Sequence, residues 1–261
     1  MVSVAFIVRL WEEGLTRLPP LRRFPKVVVA MGMGPVHALF NACLRHHYFP
    51  ARWKSAEVAI IPKVGKKDRT SPRSWRPIAL LSCLGKGLER LVAKRLAWTS
   101  LIHEVLSPQH RGTPPKRSTI NLVASFTYDA KYALRQGKKV SLVTLDLQGA
   151  FDALLRRRLL QRIRQQGWAV GPPRFLDSFL LDQRVQVRLE GATTEYSPVR
   201  CSTPQGLPLL LVLYMLYLAK LLNADPTLWF GYANNIAIYK VSNFLYDNVA
   251  RLTKDVQKIF R

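Results

Sequence analysis

One acidic residue stands at the end of a strongly β-prone run, where a carboxylate needs a positive partner. The segment "KKVSLVTLDLQGAFD" predicts a buried strand that delivers Asp146 to its C-terminal end, followed by a turn and a basic helix. Burying a carboxylate is costly unless a metal ion, an arginine or a helix N-terminus compensates its charge. The residue therefore either belongs to a charged site or caps the next helix, a role that Asp152 fills equally well.

A second segment places amides where a binding hairpin would use acids. Residues 231–239, "GYANNIAIY", predict two strands joined by a tight turn, with Asn234 and Asn235 at the tip. A hairpin with apolar and aromatic flanks is a good platform for carboxylates and metal ions. An amide oxygen binds a divalent cation only weakly beside a carboxylate. The two asparagines therefore weaken any cation site at this tip.

The charge balance favours a polyanionic partner. The 261 residues include 40 Lys and Arg against 16 Asp and Glu, for a formal net charge of +24. A field of this sign favours nucleic acid first and an acidic membrane surface second. A hydrophobic content of 48% and 10% aromatic residues exclude a disordered chain. The length allows one large domain or two small ones.

No membrane span or secretory signal is predicted. The apolar N-terminal run breaks at Arg9, and the longest apolar run, "LPLLLVLYMLYLA", is shorter than the roughly 20 residues that a bilayer requires. That run therefore predicts a buried helix. Three scattered cysteines without metal-ligand spacing fit a reducing compartment. We expect an intracellular protein of the nucleus or cytoplasm, and the oligomeric state stays unknown.

Further helices and a strand are predicted in the part of the chain that precedes these segments. Residues 36–46 predict a helix, "AEVAIIPK" a strand, and "LLSCLGKGLERLVAKRLAWTSLI" a long amphipathic helix with a basic face. A further helix is predicted at roughly Ile120 to Gln136. Basic loops rich in Pro or Gly, "KVGKKDRTSPRSWRP" and "SPQHRGTPPKRST", separate these elements.

Six segments occur in one order at plausible spacing, namely "IPKVGKKDRTSPRSWRPIALLSCLGKGLERLVAKRL", "SPQHRGTPPKRST", "LDLQGAFD", "FLLDQRVQV", "STPQGLPLL" and "GYANN". In series they resemble the reverse transcriptase domain of non-LTR (LINE-type) retrotransposons, from about residue 43 to the end. The resemblance implies an α+β right-hand polymerase fold with fingers, a palm with a mixed α/β sheet, and a missing thumb. It implies a helical lead-in at 1–42 and a reverse transcriptase domain at 43–261, with fingers at about 51–140 and 155–203 and palm at about 141–154 and 204–261.

The resemblance also implies a two-metal site for nucleotidyl transfer. In such polymerases two Mg²⁺ ions activate the primer 3′-hydroxyl and hold the triphosphate of the incoming nucleotide. Asp146 matches the first palm aspartate, a metal ligand, and the backbone carbonyl of Leu147 would be a second contact. The family hairpin reads Tyr-Ala-Asp-Asp, whereas this chain has Tyr-Ala followed by Asn234 and Asn235. Asn234 is then a degenerate metal position.

Five further residues match the nucleotide-binding positions of the family. Lys63 and Arg76 would reach the nucleotide phosphates, and Arg76 is the stronger candidate because a planar guanidinium suits bidentate contact. Phe151 would lie under the sugar and exclude a 2′-hydroxyl, while Gln205 and Gly206 would line the nucleotide and template strand. A plain surface charge is the alternative for any single lysine in so basic a chain. The implied partners are an RNA template, a DNA primer and deoxynucleoside triphosphates, without a membrane.

Two Asp→Asn replacements leave one carboxylate where the family has three. Losing one preorganised electrostatic partner lowers a rate about 10²–10³-fold, so two losses suggest roughly 10³–10⁶-fold. The leading interpretation is a transposable-element RNA-directed DNA polymerase, a nucleotidyltransferase, in a catalytically impaired copy. One alternative is an active polymerase in which Asp152 or Asp225 replaces the lost ligands. Another is a domesticated RNA-binding protein without catalysis.

Overall fold

The computed structural model describes residues 33–65, 68–106, 119–146, 155–189, 191–199, 207, 209–223, 229–232 and 235–259. The α-helices of this part are α1 (Met33–Arg45), α2 (Cys83–Ile102), α3 (Thr119–Arg135), α4 (Arg156–Gln165), α5 (Gly171–Leu180), α6 (Leu210–Asn223) and α7 (Leu245–Ile259). The strands are β1 (Ser55–Pro62), β2 (Trp75–Leu80), β3 (Lys139–Asp146), β4 (Arg184–Leu189), β5 (Ala192–Thr193), β6 (Ser197–Pro198), β7 (Trp229–Tyr232) and β8 (Asn235–Ser242). The predicted α+β class is confirmed.

Local sequence patterns predicted most of these elements to within a few residues. The predicted helices correspond to α1, α2 and α3, and the two β-prone runs to β1 and β3. The longest apolar run forms the buried part of α6, where Leu213, Met215 and Leu216 are fully inaccessible to solvent. The predicted hairpin differs in one detail, because Asn235 is the first residue of β8 and pairs with Tyr232. The connection therefore consists of residues 233 and 234, which lie outside the described residues.

The chain divides into two compact units, Met1–Thr99 with Phe151–Tyr214 and Ser100–Ala150 with Met215–Arg261. Across all helices that the structure describes, none is both long and apolar enough to cross a membrane.

The first unit contains a five-stranded sheet with the order β2-β1-β4-β5, in which β6 also pairs with β4. β1 runs antiparallel to β2 and parallel to β4. One sheet face is buried through small and β-branched residues, Ala56, Val58 and Ala79. Since each strand alternates between faces, the intervening residues form a second face, and several of them are exposed.

Aromatic rings fill the core of the first unit. Phe49 is fully buried and meets Trp53, Phe175 and Phe179 edge to face, with ring centroids 5.0–6.1 Å apart. Gly85 lets α2 approach this cluster, because a Cβ at that position would lie only 3.1 Å from Cβ of Trp53. Edge-to-face pairs contribute about 0.5–1.5 kcal/mol each beyond their buried area. Aromatic packing thus stabilises the helices around the sheet.

The second unit contains an antiparallel sheet with the order β3-β8-β7. Ile236 and Ile238 of β8 pack with Leu252 of α7 on one face. Two polar contacts also tie α7 to the sheet: an ion pair of 2.6 Å between Lys240 and Asp255, and a hydrogen bond of 2.9 Å from the Asn248 amide to the Lys139 carbonyl. Hydrophobic and polar contacts together fix how α7 lies on the strands.

Candidate functional site

The last residue of β3 and the first residue of β8 lie opposite each other in the three-stranded sheet. Asp146 pairs with Asn235, and Tyr232 of β7 pairs with the same asparagine. Directly opposed residues of an antiparallel pair have Cβ atoms about 4.5–5.5 Å apart. The structure therefore brings together two of the predicted catalytic positions, which are far apart in sequence.

Hydrophobic packing fixes this register. Val143 and Leu145 of β3 pack against the cluster of Ile236, Ile238 and Leu252. A slip of one residue would move these apolar side chains to the opposite face, so the register is strongly specified where one face is buried. The same constraint that buries the valine and leucine holds Asp146 opposite Asn235.

The other face of this sheet is open at the end near these two positions. Asn235 and Thr144 are exposed, and 44% of the Leu142 surface is accessible. Farther along the strand, the buried Tyr239 hydroxyl donates a hydrogen bond of 2.7 Å to Asp129 of α3. Burial, this hydrogen bond and the Asp129 charge raise the pKa of Tyr239 to about 12. The tyrosine is therefore neutral and anchors α3, while the exposed end is accessible to ligands.

One acidic residue lies in the opposed pair at this end of the sheet. Mg²⁺ binds oxygen ligands in near-octahedral geometry and is held through one or two carboxylates together with substrate phosphates. Of these two residues, Asp146 is acidic and Asn235 is neutral. Throughout the part of the chain that the structure describes, no group of three or more His, Cys, Asp or Glu residues is placed to hold a metal ion. Among the described residues at this end, Asp146 is therefore the acidic candidate for holding such an ion.

The two predicted phosphate-binding residues also come together, at one end of the β1–β2 ladder. Arg76 pairs with Ile61, and the Lys63 amide donates a hydrogen bond of 2.8 Å to the Ser74 carbonyl. Arg76 is exposed and Lys63 is half-buried. Lys63 directly follows Pro62, the last residue of β1, and its hydrogen bond to Ser74 holds its backbone beside the start of β2. This end of the sheet can contact an anionic group with two cationic side chains.

Two more arginines lie on the same face and escaped the sequence predictions. Arg184 pairs with Ser55 and Arg188 with Ala59, so both share the face of Arg76. We call Arg76, Arg184 and Arg188 the basic sheet face; all three are exposed. Its described acidic neighbour is Glu57, which forms an ion pair of 3.0 Å with Arg188. The alternation in "RVQVR" carried the signal, because it places both arginines on one side of a strand.

The remaining predicted site residues lie outside the described residues, and their roles stay predictions: Leu147, Phe151, Gln205, Gly206 and Asn234.

Comparison with protein families gives one match that covers most of the chain. The sequence profile described as "Reverse transcriptase (RNA-dependent DNA polymerase)" matches residues 61–258. This range contains every predicted site residue.

Relatives among known proteins come from mobile elements. The chain is 34% identical over 215 residues to "Probable RNA-directed DNA polymerase from transposon BS" of Drosophila melanogaster, covering 78% of this chain and 23% of that protein. It is 30% identical over 199 residues to "RNA-directed DNA polymerase from mobile element jockey" of the same species, covering 72% and 20%. With the "Retrovirus-related Pol polyprotein from type-1 retrotransposable element R2" of Popillia japonica the identity is 31% over 182 residues, covering 69% and 24%. The chain thus spans about a fifth to a quarter of the length of these relatives.

A solved structure shows the same fold at low sequence identity. The "Structure of apo telomerase from Candida Tropicalis truncated from C-terminal domain" superposes with a TM-score of 0.51 and 10% identity, covering 85% of this chain and 52% of that chain.

Proposed function

Because this chain belongs to the reverse transcriptase (RNA-dependent DNA polymerase) family and has the right-hand polymerase fold, we propose that it is a retrotransposon polymerase domain with strongly impaired catalysis. The RNA-directed DNA polymerases among its relatives come from non-LTR elements. The proposal assigns the first unit mainly to the fingers and the second mainly to the palm. Its substrates would be an RNA template, a DNA primer and deoxynucleoside triphosphates.

One observation carries the proposal of impairment: the register that sets Asp146 opposite Asn235. Reverse transcriptases use divalent metal ions, and the palm carboxylates supply the negative charge that binds them. With Asn234 and Asn235 in the hairpin, two of the three negative charges are gone while the shape is retained. Any metal bound here would be held by Asp146, with the Leu147 carbonyl as a proposed second contact. Weak metal binding leaves the primer hydroxyl without an activating cation.

The nucleotide-binding half of the proposed site retains its charge. Lys63 and Arg76 lie at the same end of β1 and β2, where they could contact a triphosphate. Phe151 would select against a ribose, and Gln205 and Gly206 would contact the base pair. The proposed protein thus binds substrates better than it converts them.

Primer extension on an RNA template, with Mg²⁺ and with Mn²⁺, tests this proposal. The Asn234→Asp/Asn235→Asp variant should extend the primer at least about 10³-fold faster than the unmodified chain, because it restores both carboxylates. A control that adds two charges elsewhere, Gln136→Glu/Asn243→Asp, should leave the rate unchanged. Both control residues are exposed.

A third variant decides whether any extension belongs to this site. Asp146→Ala in the restored background should abolish extension. If the unmodified chain extends as fast as the restored variant and loses that activity with Asp146→Ala, the impairment does not exist.

The basic sheet face favours a second candidate function, an RNA-binding protein without catalysis. Three exposed arginines with one acidic neighbour can bind phosphates whether or not the hairpin holds metal. Restored carboxylates that give no extension, combined with RNA binding that prefers one sequence, would favour this candidate. Sequence-independent binding would not.

A further inference from the structure

A second basic surface lies on α4, a helix that contains none of the residues assigned to the polymerase site. This helix, "RRRLLQRIRQ", has five arginines among ten residues and no acidic residue. Its apolar side is buried through Leu159, Leu160 and Ile163. Three arginines outside this buried side are exposed, namely Arg157, Arg158 and Arg164, and we call them the α4 arginine face.

Internal ion pairs do not neutralise this face. Arg156, the first residue of α4, donates hydrogen bonds of 2.9 and 2.6 Å to Asp177 of α5 and is thereby compensated. In the region covered by the structure, Arg157, Arg158 and Arg164 make no ion pair and no hydrogen bond through their side chains. Three guanidinium groups therefore remain available to a partner.

Helix stability does not explain the arrangement. Three arginines occupy the first turn, which has no acidic residue, although the helix dipole disfavours cations there by about 0.3–1 kcal/mol each. Arg158 and Arg162 are four residues apart, a spacing at which like charges cost a further few tenths of a kcal/mol. The charge thus opposes folding slightly, and a bound polyanion would remove that cost.

We propose that the α4 arginine face binds the phosphodiester backbone of RNA as a contact surface additional to the polymerase site. Its guanidinium groups have the planar geometry that matches phosphate bidentately. They extend over about 10 Å of the helix, from position 157 to position 164. The choice of RNA over other polyanions rests on the proposed function, since the family copies RNA. The surface positions RNA and reads no sequence.

Binding of a short single-stranded RNA of mixed sequence, measured over a range of salt concentrations, tests the proposal. Each phosphate contact to a single strand contributes about 0.7 to the slope of log K against log salt. The Arg157→Gln/Arg158→Gln/Arg164→Gln variant should therefore lower the slope by roughly 2. When salt rises from about 50 to 200 mM, both affinities should fall. The factor by which the affinity falls should be roughly 20 times larger for the unmodified chain than for this variant.

A matched variant separates this surface from total charge. Arg45→Gln/Arg52→Gln/Arg135→Gln removes three exposed arginines from other elements. This variant should change the slope of log K against log salt by less than half of the change that the α4 glutamine variant causes. Replacing the three α4 arginines by lysine should preserve the slope, and the thermal unfolding of each variant reports on folding. Equal losses in the glutamine variant and the matched control, or an unchanged slope in the glutamine variant, would overturn the proposal.

Two further measurements test whether the partner is RNA or another polyanion. Vesicles with anionic lipid serve as the alternative polyanion; loss of vesicle binding with unchanged RNA binding would contradict the assignment. The readout does not depend on polymerisation. If the Asn234→Asp/Asn235→Asp variant does not extend a primer, the proposed function is refuted. If the salt dependence of RNA binding still falls when the α4 arginines of that variant are replaced, the α4 proposal is supported.

Discussion

The five-stranded sheet keeps three exposed arginines on its open face beside one glutamate, whereas the open end of the three-stranded sheet places one aspartate opposite an amide. Phosphate contacts add up over many side chains, so a basic surface can lose one charge and still bind nucleic acid. A metal centre depends on two or three ligands, and each loss is severe. We therefore expect binding to outlast catalysis in this chain.

The two units also differ in how their cores are built. Phe49 of the first unit lies among three aromatic rings, while Ile236 and Ile238 of the second unit pack with Leu252. The first of three predictions tests the difference between the two cores. The other two test how burial affects charged side chains.

The largest effect is expected from the aromatic core. Phe49→Ala should lower the free energy of unfolding by about 3–5 kcal/mol, because it removes a fully buried ring and leaves a cavity. Hydrogen exchange read by mass spectrometry should show lost protection in β1 and α5. Leu39→Ala is the control, since Leu39 is 40% exposed on α1. If Phe49→Ala lowers the free energy of unfolding no more than Leu39→Ala does, the aromatic cluster contributes little.

An effect of comparable size depends on pH and comes from Glu89 of α2. This side chain is fully buried, and neither carboxylate oxygen has a hydrogen-bond partner within the described structure. Burial raises the pKa of Glu89 to about 8, against the lowering influence of Lys86 and Arg90. The folded protein therefore holds a proton that the unfolded chain releases above its ordinary pKa of 4.5. Stability should be greatest below that value and fall as pH rises, by about 1.4 kcal/mol per pH unit, until it levels off near pH 8.

Chemical denaturation at several pH values measures this slope. Glu89→Gln should flatten it, because the neutral amide does not titrate, whereas the exposed Glu195→Gln should leave it unchanged. A slope that persists in Glu89→Gln would assign the pH dependence to other groups.

The smallest effect compares one ion pair from each unit. Lys240 and Asp255 are only 12% and 18% exposed, whereas Arg188 and Glu57 are 58% and 30% exposed. Double-mutant cycles with Lys240→Met/Asp255→Asn and Arg188→Met/Glu57→Gln should give coupling energies of about 1–3 and about 0.2–1 kcal/mol. Salt should weaken the exposed pair more. Equal couplings would show that burial does not decide the strength of these pairs.

Short-range patterns in the sequence determined most of the helices and strands. The alternation in "SLVTLD" and the apolar spacing of α1, α2 and α3 are local properties, so the sequence predicts them without tertiary information. The ordered motifs determined the family in the same way, because each motif is a short segment with fixed residue types. The two neighbouring asparagines of the hairpin, Asn234 and Asn235, are likewise visible in the sequence.

Only the tertiary structure decided which distant residues meet. Burial of Val143 and Leu145 against β8 selects the register that sets Asp146 opposite Asn235 and moves that asparagine from the turn into the strand. The parallel pairing of β1 with β4 places Arg188 on the face of Arg76, and burial raises the pKa of Glu89. These features depend on contacts between remote segments and on desolvation, neither of which a local pattern contains.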